Sequence, residues 1–391
     1  MDVSSSQTLW VVFMPQKPIR VLQVGMSDNY GGTEAVVYGV YNHLDHSKIQ
    51  FDFLNVYGHP IAKQEELVAS GAHIYDLLLK RREGYFKYIR GIKDFYKHHA
   101  AEFDTVVCNV QCLDQIDMLK WAKYFGIKKR ILYLHNAGNG IQPSKMAKIA
   151  IAINKRHARR YATTFVAVSS LAAAWGFSKK DARNCTIIPD GIDMKHFAFS
   201  DNERRLFRQT YGFSENDRIY GSAGRFDPQK NPFFLLSIFS AVHRQDPQAK
   251  FLWAGRGPLE AKLRERIAQS GLKDSLVLVT NLNDLSAFYS ALDFFIFPSL
   301  FEGLGLVLLE AQCSGLPCFA TSKTIPTEIA LSANYRSIGL DQTSEQWAAL
   351  ILSSPMNNKR DCAYQLIAER HFDIETNVAS YSKLLVMYGN Q

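Results

Sequence analysis

Several signatures that would assign chemistry at sight are missing from these 391 residues. There is no Asp-x-Asp triplet, and no His or Cys cluster has metal-ligand spacing, so no metal is expected. The Gly-x-Gly-x-x-Gly fingerprint is absent, which disfavours a nicotinamide cofactor. Cysteine is scarce: residues 108, 112, 185, 313, 318 and 362 are scattered and never form Cys-x-x-Cys. Several lie in apolar runs and read as the reduced, packed thiols of a cytosolic protein. The apolar patch Leu9–Met14 is too short to span a bilayer, and no basic segment precedes it as a signal peptide requires. No helix-turn-helix, zinc-finger or RNA-binding signature is present, so nucleic acid is not an expected partner.

What is present reads as two folded units. With 47% hydrophobic residues, the chain can bury two cores of ordinary size. Strand-like runs alternate with helical patterns in both halves, as parallel α/β sheets require. The boundaries read as an N-terminal extension over 1–17, a first domain over 18–195 and a second over 196–373, with a last helix over 374–391. Charge is shared unevenly. Residues 1–190 hold 25 Lys+Arg against 16 Asp+Glu, a net of +9, whereas residues 191–391 hold 20 against 21.

The most informative stretch is Pro298–Gln312, in which Glu302 and Glu310 stand eight residues apart. Glu302 falls in a turn after the apolar strand Phe294–Phe297, and Glu310 in the apolar helix that follows. Amides of Gly303, Leu304, Gly305 and Leu306 at that helix start are donors for an anion such as a diphosphate. A carboxylate among Leu308, Leu309 and Ala311 needs a partner, and sugar hydroxyls are one candidate. A second turn of the same kind, Gly224-Arg225-Phe-Asp-Pro-Gln-Lys230-Asn231, joins the strand Arg218–Ser222 to a helix that starts near Pro232. Arg225 and Lys230 therefore stand between a strand end and a helix start, where a phosphate would sit. In the first half, Ile19–Val24 runs into a loop ending at Gly31-Gly32, and Arg130–Leu134 ends at His135. Both are strand ends of the sort at which open α/β sheets bind ligands.

These motifs, together with Ile188-Pro-Asp-Gly-Ile-Asp193 and Ala254-Gly-Arg-Gly-Pro258, occur in the order seen in retaining glycosyltransferases. The chain resembles glycosyltransferase family four, and within it the enzymes of bacterial capsule, exopolysaccharide and O-antigen assembly. The match covers roughly residues 18–388. It implies the GT-B fold, two Rossmann-like domains facing each other across a cleft, with the last helix crossing back to the first domain. It also implies transfer of a hexose or N-acetylhexosamine from a nucleotide sugar, a UDP-sugar by preference, with retained anomeric configuration. Carried over residue by residue, Arg225 and Lys230 meet the donor diphosphate, Glu310 the ribose, and Glu302 and His135 the transferred sugar. Gly31, Gly32, Gly255, Leu282 and the Gly303–Leu306 amides approach the donor. No metal and no cofactor beyond the sugar nucleotide are implied. Arg256 and Asn281 depart from the family pattern near the expected nucleobase pocket.

Because the whole positive excess falls in the half expected to bind the acceptor, contact with an anionic membrane is expected, and with it a glycan carried on a lipid diphosphate as acceptor, handled by a cytoplasmic protein on the inner face of the plasma membrane. Tyr85, Ile89, Ile92 and Tyr96 recur at helical spacing beside Lys87, Arg90, Lys93 and Lys97, just after Lys80-Arg81-Arg82. Such a basic amphipathic helix near residues 80–97 can lie on an anionic membrane, or bury its apolar stripe and solvate its cations. Two other classes stay open: a sugar-nucleotide epimerase of the same fold, and a non-catalytic nucleotide-sugar-binding subunit. Glu302 and His135 on the sugar side argue against the second.

Overall fold

The computed structural model describes residues 17–77, 84–138, 144–280, 282, 284–357, 359–360 and 363–386. Leu9–Met14, Lys80–Arg82, Asn281 and Cys362 lie outside them. The first half runs β1 (Ile19–Val24), α1 (Gly32–His43), β2 (Ile49–Asn55), α2 (Gln64–Ala69), β3 (Ile74–Asp76), α3 (Tyr85–His99) and β4 (Thr105–Val110). It continues with α4 (Asp117–Tyr124), β5 (Lys129–Leu134), α5 (Lys145–His157), β6 (Thr164–Ala167), α6 (Ser170–Gly176), α7 (Lys179–Arg183) and β7 (Thr186–Ile187). All pairings are parallel, in the order β3-β2-β1-β4-β5-β6-β7. The chain thus starts in the middle of its sheet and winds first one way and then the other, which places a topological switch point between β1 and β4.

The second half repeats the plan. After α8 (Asp201–Thr210) come β8 (Ile219–Ala223), α9 (Pro232–Gln245), β9 (Lys250–Ala254), α10 (Glu260–Gln269), β10 (Leu276–Val279), α11 (Ser286–Ala291) and β11 (Phe294–Phe297). The rest is α12 (Leu306–Cys313), β12 (Cys318–Thr321), β13 (Tyr335–Ile338), α13 (Ser344–Leu352), α14 (Ala363–Ala368) and α15 (Ile374–Val386). The order β10-β9-β8-β11-β12-β13 sets the second switch point between β8 and β11. Strands such as Phe-Phe-Ile-Phe in β11 are buried throughout, because helices cover both faces of a parallel sheet.

One apolar cluster fills the first half and continues into the second, while Tyr220, Phe251, Phe294 and Trp347 belong to a separate cluster within the second sheet domain. The chain crosses between halves twice, side by side. Ile192 N–H donates to Phe372 O at 3.0 Å, and Ile374 N–H donates back to Ile192 O at 3.0 Å. Gly191 is required there, since a Cβ would come within 2.6 Å of the Asn377 Cβ and 2.7 Å of the Asp373 carbonyl. Beyond the crossing, α15 packs on α1, with buried Tyr381 accepting from Gln23 Nε2 at 3.2 Å and Lys129 Nζ donating to Leu385 O at 2.9 Å. The last helix therefore does return to the first sheet domain.

The basic helix α3 is where expected, but only part of the expected stripe is spent on the core: Ile92 and Tyr96 are buried together with Tyr88 and Phe95, while Ile89 is half-buried and Tyr85 exposed. Lys87, Arg90, Lys93 and Lys97 face outward. No described helix is long and apolar enough to cross a membrane.

Candidate active site

Every candidate residue comes from a loop at the C-terminal edge of a strand or, for Gly32, Leu306 and Glu310, from the helix that follows it, and the two sets of loops face each other. The turn after β11 meets the end of β5: a Cβ on Gly303 would fall 2.0 Å from the His135 carbonyl oxygen. Gly138 is likewise pressed by the Phe301 ring, 2.2 Å from where its Cβ would be. Ser169, after β6, donates to the Gly303 carbonyl at 2.5 Å, and the Ser170 N–H donates to Glu328 at 3.0 Å. Only glycine permits this approach of two backbones.

On the second sheet, Lys230 and Glu302 form a buried pair across the β8–β11 switch point, Nζ to Oε1 at 2.6 Å. Ser299 Oγ donates to the same Oε1, and Gln229 Nε2 reaches Oε2 at 3.4 Å. Lys230 also lies over the Phe297 ring at 4.8 Å, and Gly224 next to it holds a left-handed φ of 145°. Asp227 shapes this loop by capping the Lys230 N–H at 3.2 Å and accepting from Arg225 Nε at 2.6 Å. That bond uses only Nε. The two terminal nitrogens of Arg225, a largely exposed side chain, find no partner among the described residues.

Arg225 and Asp227 line a cavity of about 540 Å³ with Pro228, Arg256, Gly257, Pro258 and, from the opposite loop, Asn29. Arg256 has no hydrogen bond or ion pair to its side chain among the described residues. Gly255, with φ 155°, packs on the Gly224 carbonyl, so the loops after β8 and β9 form one continuous wall. Leu282 is half-buried beyond it.

Helix α12 opens at Gly305, whose φ of 93° turns the chain so that the first-turn amides point out of the sheet edge. Leu304 is buried beneath the turn. Glu310 finds its partner inside the protein: Tyr289 donates its hydroxyl to Oε2 at 2.7 Å. Burial pushes the Glu310 carboxyl up to about 7, and the Tyr289 bond only partly opposes this.

After β1, Glu34 is consumed internally. It accepts from Ser27 N at 2.9 Å, Ser27 Oγ at 2.8 Å and Gly31 N at 3.1 Å, locking the glycine turn. A Cβ on Gly32 would meet nothing within 4 Å, so space is open above this backbone.

His135 presents its backbone to Gly303 and turns its ring inward against Tyr133, with ring centroids 4.2 Å apart and the planes tilted by 32°. Asn109 gives its amide N–H groups to Gln23 and Val24, so its oxygen must accept, and His135 Nε2 donates to it at 2.9 Å. Nδ1 is then a lone pair. It faces Asp190 Oδ1 across 3.9 Å, with neither atom otherwise bonded. Burial lowers the imidazole to about 3 and raises the Asp190 carboxyl to about 8. Near neutrality both are therefore uncharged, and the contact is not an ion pair.

The structure thus gathers Arg225, Lys230, Glu302 and the Gly303–Leu306 turn at one switch point, with Glu310 one helical turn further along. Gly31, Gly32 and His135 approach from the other sheet. Ser299 and Gln229 lie within the sequence motifs already singled out, Ser299 three residues before the Glu302 it bonds and Gln229 next to Lys230. Tyr289 and Asn109 carry no local signal, because what they do depends on strands brought together by the sheet. Among the described residues, no group of three or more His, Cys, Asp or Glu side chains could hold a metal ion.

Residues 203–361 match the family described as "Glycosyl transferases group 1". Over 365 residues, 92% of this chain and 94% of the relative, the sequence is 26% identical to EpsF of Bacillus subtilis (strain 168), which carries the name of a glycosyltransferase. A shorter stretch of 145 residues is 32% identical to the UDP-Gal:alpha-D-GlcNAc-diphosphoundecaprenol alpha-1,3-galactosyltransferase of Escherichia coli, covering 36% of this chain and 38% of that one. Among solved structures, Anabaena HepE in complex with UDP and glucose superposes with a TM-score of 0.74 at 17% identity, over 94% of this chain and 100% of that chain. The matched segment contains both phosphate-type turns, and the paired doubly wound sheets extend the likeness to the whole architecture: residues 203–361 are similar to the glycosyl transferases group 1, and the chain has the GT-B fold.

Proposed function

We propose that the protein transfers a hexose or N-acetylhexosamine from a UDP-sugar to a lipid-diphosphate-linked glycan, with retention at the anomeric carbon and without a metal. The observation that carries this reading is the Lys230–Glu302 pair at 2.6 Å, set beside the open guanidinium of Arg225 and the first-turn amides of α12. The pair puts a cation where a diphosphate needs one and an acid beside it where sugar hydroxyls need an acceptor.

As the C1–O bond to the β-phosphate breaks, negative charge grows on the phosphate oxygens. Lys230, Arg225 and the amides of Gly303–Leu306 are fixed before the reaction, so stabilising that charge requires no reorganisation. The guanidinium supplies a planar fork and the ammonium a compact charge, which together do the work a divalent cation would do. The acceptor oxygen forms its bond to C1 on the face the diphosphate leaves, and its proton passes to a phosphate oxygen. Glu310 accepts from the ribose, and the Gly31-Gly32 backbone lets the acceptor and donor come close. Closure over the Gly303–His135 contact excludes water.

The lipid-linked acceptor follows the Escherichia coli relative, whose name specifies a UDP-Gal donor and a diphosphoundecaprenol-linked sugar. The test is incubation with a panel of nucleotide sugars and a lipid-diphosphate-linked glycan, with product configuration read by NMR. Extension with the donor's anomeric configuration in the presence of EDTA is expected. Isomerised sugar nucleotide, or binding without turnover, would replace this reading with an epimerase or a binding subunit.

A further inference from the structure

Among the longer described helices, α5 alone buries no residue. It is nevertheless held in place. Ser144 caps its first turn by accepting from the Ala147 N–H at 3.2 Å, Asn154 Nδ2 donates to the Leu113 carbonyl at 2.8 Å, and Lys155 Nζ donates to the Trp175 carbonyl at 2.7 Å. On the opposite side, Met146, Ile149 and Ile153 are 78%, 56% and 52% exposed. Residues three and seven positions apart share one stripe of a helix, so these three side chains form a single apolar ridge. Lys145 and Arg156 border it, and Lys148 lies just beyond. Single exposed apolar side chains are ordinary, but a ridge of them on a fixed helix marks a contact surface.

Two observations identify what covers the ridge. The first is charge. Right-handed crossovers put α3, α4 and α5 on one face of the first sheet. There α3 and α4 turn Lys93, Lys120 and Lys123 outward around Trp121, walling a hollow of about 400 Å³ with Tyr124 and Tyr161. Asp94 and Asp117 are the acids of these two helices, and Asp94 lies 3.8 Å from Arg90. The second is position. A helix that follows a parallel strand begins at the strand's C-terminal edge, so the ridge starts on the edge that carries His135 and the cleft.

We infer that this face docks on an anionic phospholipid surface, with the α5 ridge entering the apolar boundary and the lysine-lined hollow on α3 and α4 taking phosphate head groups. The inference rests on the lipid-linked acceptor proposed above. It moves the apolar contact from α3, whose Tyr88, Ile92, Phe95 and Tyr96 are spent on the core, to α5. A membrane so placed delivers the diphosphate end of its carrier lipid to the mouth of the cleft.

The test is co-sedimentation of the full chain with vesicles of phosphatidylcholine alone or mixed with phosphatidylglycerol. The wild type is expected to bind the mixed vesicles and to release as salt rises. The Ile149→Ser/Ile153→Ser variant should bind at least roughly tenfold more weakly with an unchanged melting temperature, since both side chains are exposed. Lys120→Glu/Lys123→Glu should bind more weakly and lose most of the salt dependence. No binding by the wild type, or equal binding by the α5 variant, would overturn the inference. So would loss of a wild-type dimer in the α5 variant, seen by size exclusion with light scattering, since a second copy would then be the occupant. Transfer to a short-chain, water-soluble acceptor separates the two proposals: α5 variants should retain it, and its absence in the wild type would count against the transferase reading and not against the docking face.

Discussion

The two halves share one topology and put it to opposite uses. Each is a parallel sheet wound outward from its first strand, and each offers its C-terminal edge to the other. In the second half that edge is crowded with paired charges, Lys230 with Glu302 and Arg225 with Asp227, beside the Glu310 carboxyl hydrogen-bonded by Tyr289, and the half is nearly neutral overall. In the first half the edge is built of glycine, neutral imidazole and an internally satisfied Glu34, while the net charge of +9 is displayed on outward helices. The fold therefore fixes only where ligands go. Side chains distinguish the two edges, with paired cations and acids on one and an open, cationic, partly apolar surface beside the other.

The comparison is broken most severely at the Lys230–Glu302 pair. On the proposed reaction, Lys230→Ala removes a cation aimed at the leaving diphosphate, and it strands Glu302 in a buried site. Loss of transition-state stabilisation of about 3–4 kcal/mol, a fall in kcat/KM on the order of a hundredfold to a thousandfold, is expected. Steady-state kinetics with circular dichroism as a fold control measures it. Glu302→Gln should act in the same direction, by removing both the acceptor of sugar hydroxyls and the partner that orients Lys230.

Next in size is the contact between the halves. Gly303→Ala places a methyl group against the His135 carbonyl, where the gap is 2.0 Å. The halves must separate, while each sheet keeps its own core. Transfer should drop by roughly tenfold to a hundredfold, in line with the cost of about 1 Å of misplacement at a reacting centre. Small-angle scattering should show a more open molecule, and unchanged scattering with full activity would contradict the closed contact.

A smaller effect distinguishes the two ionisable sites. The Glu310 carboxyl is held up to about 7 by burial, so it is mostly neutral below that pH and ionised above it. An ionised carboxylate accepts from ribose hydroxyls more strongly, so donor KM should fall as pH rises through about 7, and Glu310→Gln should remove that step. His135 is held low, to about 3, and adds no step in this range, whereas Asp190 opposite it, raised to about 8, titrates above Glu310 and should leave its step in the Glu310→Gln variant. The smallest effect should come from Phe86→Ser on α3, an exposed residue outside the α5 ridge, which should leave vesicle binding within roughly twofold of wild type.

Much of this was legible in the chain itself, for a physical reason. Strands buried on both faces are continuous apolar runs, so Ile19–Val24, Lys250–Ala254 and Phe294–Phe297 declare themselves locally, as does the helix that opens at Pro232. Glycine turns next to charged residues at those strand ends pick out Arg225, Lys230, Glu302 and Glu310. What stayed hidden depends on contacts distant in sequence. That Glu310 bonds Tyr289, that His135 turns inward to Asn109, and that Asp190 stands opposite it without a bond all arise from strand order. Helical periodicity identified the amphipathic α3 but not which face is covered, since a core and a membrane reward the same pattern. The exposed ridge of α5 follows from what fails to pack over it, which no local pattern records.

The central claim is that one diphosphate is gripped between the two sheet edges by Arg225 and Lys230. The measurement that tests it most directly is a crystal structure of the wild-type protein with UDP-sugar bound. The pyrophosphate should lie within hydrogen-bond distance of both side chains and of the amides that start α12, with Glu310 on the ribose and Glu302 on the sugar. A pyrophosphate bound elsewhere, with Lys230 still bonded only to Glu302, would contradict it.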